Sequence, residues 1–139
     1  MRQENSCVFC KIVRGEAPAH KVCEDDSTIV FMDANPVTEG HTLVVTKEHF
    51  ENFFEVTPEA LQSITAAAKR VAHAIRDVLH PAGLMVVQLN GAAAFQMVFH
   101  YHMHLVPRAV DEPFTVHGRV PGDPVRMQDL AQRFAAALR

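Results

Sequence analysis

The run His100-Tyr101-His102-Met103-His104-Leu105-Val106 decides how this chain is read. On a β-strand successive side chains point to opposite faces, so His100, His102 and His104 share one face. Phe99, Tyr101, Met103 and Leu105 then share the other, which reads as core. Imidazoles that are even partly buried need partners for their ring nitrogens. Two uses fit such a wall: a metal site built from several histidines, or one nucleophilic histidine held and tuned by its neighbours. A solvated histidine face on an edge strand is the bland alternative.

Outward from this run, the spacing predicts a strand over 96–107 and another over 84–89. They are joined by Asn90-Gly91-Ala92-Ala93-Ala94-Phe95. Upstream, Thr57-Pro58-Glu59 is a helix start, with threonine as cap, proline in the first turn and an acid near the positive dipole end. Leu61, Ile64, Ala68, Val71, Ile75 and Val78 recur at helical spacing as one apolar stripe, until Pro81 and Gly83 end the helix. Before it, residues 21–24, 28–33 and 41–46 read as strands, 49–54 as a brief helical turn, and 7–14 as a short helix stopped by Gly15. Downstream, 111–125 carries Pro113, Gly118, Pro121, Gly122 and Pro124 and reads as an irregular arm. Asp123-Pro124 caps a last helix with Met127, Leu130, Phe134 and Leu138 on one side. The order β-β-β-α-β-β is that of an α+β domain with a five-stranded, mostly antiparallel sheet.

At 139 residues the chain fits one domain, with 1–108 as core and 109–139 as C-terminal arm and helix. A formal charge of −3 gives no broad attraction for nucleic acid or an anionic membrane. Any phosphate site must therefore be local, made of histidines, backbone amides or a single arginine. No apolar run approaches the roughly 18 residues that cross a bilayer, and residues 1–6 are too polar to begin a signal peptide. The expected location is cytoplasmic. Three cysteines in a reducing compartment do not make a disulfide framework, and Cys23 reads as a small buried apolar side chain. Cys7-x-x-Cys10 by itself suggests half of a zinc site or a redox motif.

The chain resembles the histidine triad (HIT) family of nucleotide-binding hydrolases and transferases, whose signature is His-φ-His-φ-His-φ-φ with φ apolar. Gln96, Asn90-Gly91, Asp33-Ala34-Asn35-Pro36, Gly40-His41-Thr42-Leu43-Val44-Val45 and Lys47-Glu48-His49 all fall in the family's order. The resemblance implies the HIT fold and a homodimer in which the long helix and last strand face their partners. It implies cleavage at the α-phosphate of a nucleoside phosphoramidate, adenylate or dinucleoside polyphosphate, with a purine nucleoside monophosphate as the moiety held. His102 would be the nucleophile, forming a nucleotidyl-histidine that water resolves. His104, His100 and His41 would steer protons or contact phosphate. Gln96 shares the triad's strand parity and reads as a phosphate or leaving-group contact. Asn90 and the small residues after it let backbone amides approach an anion. Asp33 would accept the ribose hydroxyls, while Phe9, Ile12, Phe31 and Met32 would form the nucleobase pocket. Some bacterial members pair a Cys-x-x-Cys with two histidines. Here that set is Cys7, Cys10, His49 and His100, suited to tetrahedral zinc with a structural role.

The chain also departs from the pattern. Leu89 stands where many members have the phosphate-touching asparagine, Met97 where others have Ser or Thr, and Phe95 where glycine is frequent. These departures bear on substrate range and turnover. They keep open a second reading, a nucleotide- or partner-binding module with little catalysis. A third makes His100, His102 and His104 a catalytic metal site with an open position for water.

Overall fold

The computed structural model describes residues 1–114 and 119–139. Five antiparallel strands form one sheet in the order β1-β2-β3-β5-β4: β1 Lys21–Glu24, β2 Thr28–Met32, β3 Thr42–Thr46, β4 Gly83–Val87 and β5 His102–Arg108. Helix α1 is Val8–Val13, α2 is Pro58–Leu79 and α3 is Pro124–Ala137. This is the expected α+β architecture, with the sheet wholly antiparallel. The part of the predicted arm at 115–118, including Gly118, lies outside the described residues. Among the described residues no helix is long and apolar enough to cross a membrane.

β2 and β3 are buried along their whole length because both sheet faces are covered. Val30, Met32, Val44 and Leu105 point to one face and pack under α2 and α3 against Ile64, Val71, Ile75, Leu130 and Phe134. Ile29, Phe31, Leu43 and Val45 point to the other, where Phe9 of α1 closes over them. Leu43 pairs with His104 and Val45 with His102, so β5 presents both imidazoles on the face that α1 covers. The long helices are thus kept off the histidine face.

The caps are those the sequence predicts. Thr57 Oγ1 accepts the Ala60 N–H at 3.1 Å, and α2 ends at His80 in the left-handed conformation before Pro81. Asp123 accepts the Val125 N–H at 3.0 Å to start α3. Gly40 leads into β3 at φ +92°, and a Cβ there would lie 2.5 Å from Leu79 Cδ1, so only glycine lets this turn sit against the end of α2.

One expectation fails in part. The last strand begins at His102, and residues 96–101 run beside 46–51 as irregular chain: Tyr101 N donates to Phe50 O at 2.7 Å, and Gln96 Nε2 to Glu51 O at 2.7 Å. Strand parity therefore governs His102 and His104 but neither His100 nor Gln96. Phe99 is 41% exposed and outside the core, whereas Tyr101 is buried. The helical turn expected over 49–54 closes slightly later, where Glu55 N and Val56 N both donate to Asn52 O.

Candidate functional site

Two histidine clusters lie on the face of the sheet that α1 covers. In the first, the ligand atoms of Cys7, Cys10, His49 and His100 all fall within 4.8 Å of one another. Cys7 caps α1, its Sγ taking the Cys10 N–H, so both sulfurs sit at one helix end. The N-terminal residues run along 47–49, with His49 N donating to Arg2 O and Gln3 Nε2 to Lys47 O, which carries α1 over His49. Cys10 Sγ is 3.3 Å from His49 Nδ1 and 3.5 Å from His100 Nδ1; Cys7 Sγ is 3.4 Å from His100 Nδ1, and the two Nδ1 atoms are 3.2 Å apart. A zinc tetrahedron with ordinary Zn–S and Zn–N bonds has edges of about 3.3–3.6 Å between such donors. His100 Nε2 donates to Thr46 O at 2.6 Å, which leaves Nδ1 unprotonated and turned to the sulfurs. Burial pushes the Cys10 thiol up and the His100 imidazole down to about 4. The donor set fits a divalent cation of zinc's preferences.

The second cluster is Asp33, His41 and His104, whose ligand atoms also lie within 4.8 Å. Here the hydrogen bonds assign protons differently. Val37 N–H donates to His41 Nδ1 at 3.0 Å, so a neutral His41 carries its proton on Nε2. That proton goes to His104 Nδ1 at 2.9 Å, leaving Nε2–H of His104 as the remaining donor. A metal on His41 Nε2 would displace this proton onto Nδ1, against the Val37 N–H. The cluster is a proton-ordered relay, and it argues against a metal there.

His102 lies between the two. Its Nδ1–H donates to the carbonyl of His100 at 2.6 Å, which leaves a lone pair on Nε2. Its ring stands edge to Phe9 at 5.1 Å and to His104 at 4.9 Å. Burial holds His102 below the ordinary imidazole range, partly opposed by the His100 carbonyl and by Asp33. Burial likewise lowers His41 and His104, each to about 3. At neutral pH the row is uncharged, with one ring nitrogen free to attack.

A base that folding keeps neutral is protonated first in the unfolded chain. The stabilisation from a neutral His41, which is 1% exposed, is therefore whole above its unfolded value of 6.5 and is lost as pH falls toward about 3. The loss is about 1.4 kcal/mol per pH unit for this one group. Urea unfolding free energies measured between about pH 6 and pH 4 are expected to fall with pH, and His41→Gln to flatten that slope by about one proton. An identical slope in the variant would show that His41 is not held neutral.

The other candidates divide. Phe9 and Phe31 stack edge to face at 5.3 Å, and Ile12 packs on the same cluster, so these three form an apolar wall beside His102. Asp33 follows β2 on that face, its Oδ1 taking the Asn35 N–H at 2.9 Å and its Oδ2 lying 3.4 Å from His41 Nε2. Met32 does not join them. It lies on the opposite face of β2, in the core under α2 and α3, because parity separates it from Phe31. Gln96 is buried, but its amide closes the 91–96 loop: Oε1 takes the Gly91 N–H at 2.7 Å, and Nε2 donates to Glu51 O and Val98 O. Asn90 is similarly spent on Gln88 and on the Phe53 N–H. Both residues shape the loop, and their side-chain polar atoms are committed to protein partners in it and in the segments beside it. Arg108 turns to the arm, bonding the carbonyls of Glu112 and Pro113 and lying 5.2 Å over Phe114. Sequence reasoning expects a backbone carbonyl to fix the nucleophile's tautomer but names none of the groups that fix the imidazoles, Thr46 O, Val37 N–H and the His100 carbonyl. It also missed Arg119, which reaches Asp33 from the arm.

An antiparallel sheet that sets two neutral histidines on one strand, with a third just before it, beside an acid and an apolar wall, defines the class of histidine triad proteins. A family model described as HIT domain matches residues 14–111, and the chain belongs to the HIT family. It is 46% identical to protein Hit of Bacillus subtilis over 108 residues, covering 78% of this chain and 74% of that one. It is 37% identical to adenylylsulfatase HINT3 of Arabidopsis thaliana over 105 residues, 76% of this chain and 53% of that one. Among solved structures it is similar to a zinc-bound histidine triad family protein of Mycobacterium smegmatis, with a TM-score of 0.84, 38% identity, and 95% and 92% of the two chains covered.

Proposed function

We propose that the protein is a nucleotide hydrolase or transferase that cleaves at the α-phosphate of a nucleoside phosphoramidate, adenylate or dinucleoside polyphosphate. The observation that carries this reading is the proton order around His102. Its Nδ1–H is fixed on the His100 carbonyl, its Nε2 lone pair is free, and burial keeps it neutral. Nε2 attacks the α-phosphorus; the bond from phosphorus to the leaving nitrogen or oxygen breaks, and its electron pair goes to the leaving group, which takes up a proton from solvent. The cationic phosphoimidazole is stabilised by its retained Nδ1–H bond to the carbonyl. His104 Nε2–H faces charge growing on a phosphate oxygen, and His41 holds His104 in that tautomer. Water then attacks phosphorus and releases a proton to solvent, the P–N bond breaks, and His102 recovers its lone pair. Asp33 takes the ribose hydroxyls, and Phe9, Ile12 and Phe31 take the base. The named activity of the Arabidopsis relative, on an adenylyl group, supports the substrate class.

Zinc is the metal proposed for Cys7, Cys10, His49 and His100, supported by the cluster's geometry and by the zinc-bound Mycobacterium neighbour. With its four donors supplied by the chain, zinc there would tie α1 to the sheet and supply no reacting ligand.

The test is the intact mass of the protein after brief mixing with an adenosine phosphoramidate at mildly acidic pH. A transient gain of one AMP, with AMP released, is expected. Saturable AMP binding with no adduct and no AMP released would favour the binding-module reading instead.

A further inference from the structure

We propose that Arg119, on the arm between β5 and α3, is the cation that engages the substrate's phosphate, swinging to it from Asp33; this rests on the nucleotide reading above. Arg119 Nη1 lies 2.9 Å from Asn35 O and 3.4 Å from Asp33 Oδ2, and Nη2 lies 3.9 Å from Met97 Sδ. The guanidinium therefore spans from the ribose end of the site, at Asp33, to the loop that follows Gly91, at Met97. A nucleotide lying between those two ends passes its sugar and α-phosphate beneath it.

Its side chain is only 18% exposed, yet these contacts satisfy it poorly. A guanidinium has five N–H donors. Among the described residues it makes one good hydrogen bond, one long ion pair and one contact to a thioether, a weak acceptor. A phosphate offers the several charged oxygens that a planar fork of donors matches. The site also needs charge. The histidines around His102 are neutral at pH 7, the Gln96 and Asn90 amides are spent in the loop, and Met97 and Leu89 present no polar atom of use there. Arg119 is close enough to disfavour protonation of both His41 and His104. The same proximity serves an anion placed beside them.

Asp33 explains the resting position. Its Oδ2 faces Arg119, and a ribose that claims the carboxylate competes for that oxygen. The incoming nucleotide thus frees Arg119 at the moment its phosphate arrives. A charge held this way is presented to phosphate only when a sugar is attached, which favours nucleotides over inorganic phosphate.

Calorimetric binding of AMP and of adenosine to the parent, R119A and R119K tests the assignment. R119A is expected to weaken AMP by about tenfold or more while adenosine, which lacks the phosphate, binds as well or better. R119K is expected to retain part of the AMP affinity, since it keeps the charge but not the fork. If AMP tightens in R119A, or AMP and adenosine change by one factor, Arg119 only competes for Asp33 and the proposal falls while the nucleotide reading stands. If the parent binds neither ligand, the nucleotide reading itself is removed and this proposal with it.

Discussion

His102→Ala is expected to lose at least about a thousandfold in turnover of an adenosine phosphoramidate and to form no covalent AMP adduct. The size follows from what the residue supplies. Deleting the nucleophile removes the two-step route and leaves direct attack by water, helped only by binding and by the donors on phosphate. AMP affinity is expected to stay within a fewfold of the parent, because Asp33, Phe31 and the proposed Arg119 contact are untouched. That split, turnover lost and binding kept, distinguishes a nucleophile from a residue that merely fills space beside Phe9. The ring also packs there, so thermal unfolding of the variant is the control for an intact fold. Steady-state rates and intact mass decide the matter: parent-like turnover in a folded His102→Ala protein would end the nucleotidyl-histidine mechanism.

The order of elements along the chain and the helix caps were legible because they rest on local signals. Thr57-Pro58, Asp123-Pro124 and the β-branched run of Thr42, Val44, Val45 and Thr46 each specify their element without help from distant residues. His102 and His104 were placed correctly for the same reason, since both lie within β5. His100 shows where that reasoning stops. Parity assigns it the triad's face, but the strand starts two residues later, and its ring is aimed by a bond to Thr46 O and by cysteines some ninety positions away. The cysteines were reached through family resemblance and Thr46 O was missed; no periodicity points to either. Gln96 and Asn90 looked like ligand contacts because amides suit phosphate, and the structure spends them on closing their own loop. Met32 failed on parity that was available in the sequence, since it alternates with Phe31 along one strand. Arg119 carried no signal, lying in an aperiodic arm rich in proline and glycine.

The zinc reading makes a second large prediction. Cys10→Ala is expected to abolish binding of one equivalent of zinc and to lower the thermal midpoint by about 10 °C or more. Losing a structural metal removes at least about 3 kcal/mol in a domain of this size, where each kcal/mol moves the midpoint by about 3–4 °C. Cys10, His49 and His100 are buried and Cys7 is half-buried, and the site joins α1, the 47–49 segment and the approach to β5, so its loss loosens three pieces of chain at once. Turnover is also expected to fall, by about 10- to 100-fold, because the residue whose ring would bind zinc is the one whose carbonyl holds His102 Nδ1–H. A strong chelator applied to the parent should reproduce both effects, whereas Cys23→Ala, remote from the cluster, should bind zinc as the parent does. Metal content by elemental analysis, unfolding by calorimetry and turnover, measured together, separate the alternatives. Purified protein without metal, unmoved by chelator in both midpoint and rate, would remove the zinc. A rate that vanishes with the metal and returns in strict proportion to it, while the fold stays intact, would instead make the metal a participant in the chemistry. The expected result lies between these: a less stable, slower protein that still forms the AMP adduct, because Nε2 of His102 needs no metal to attack.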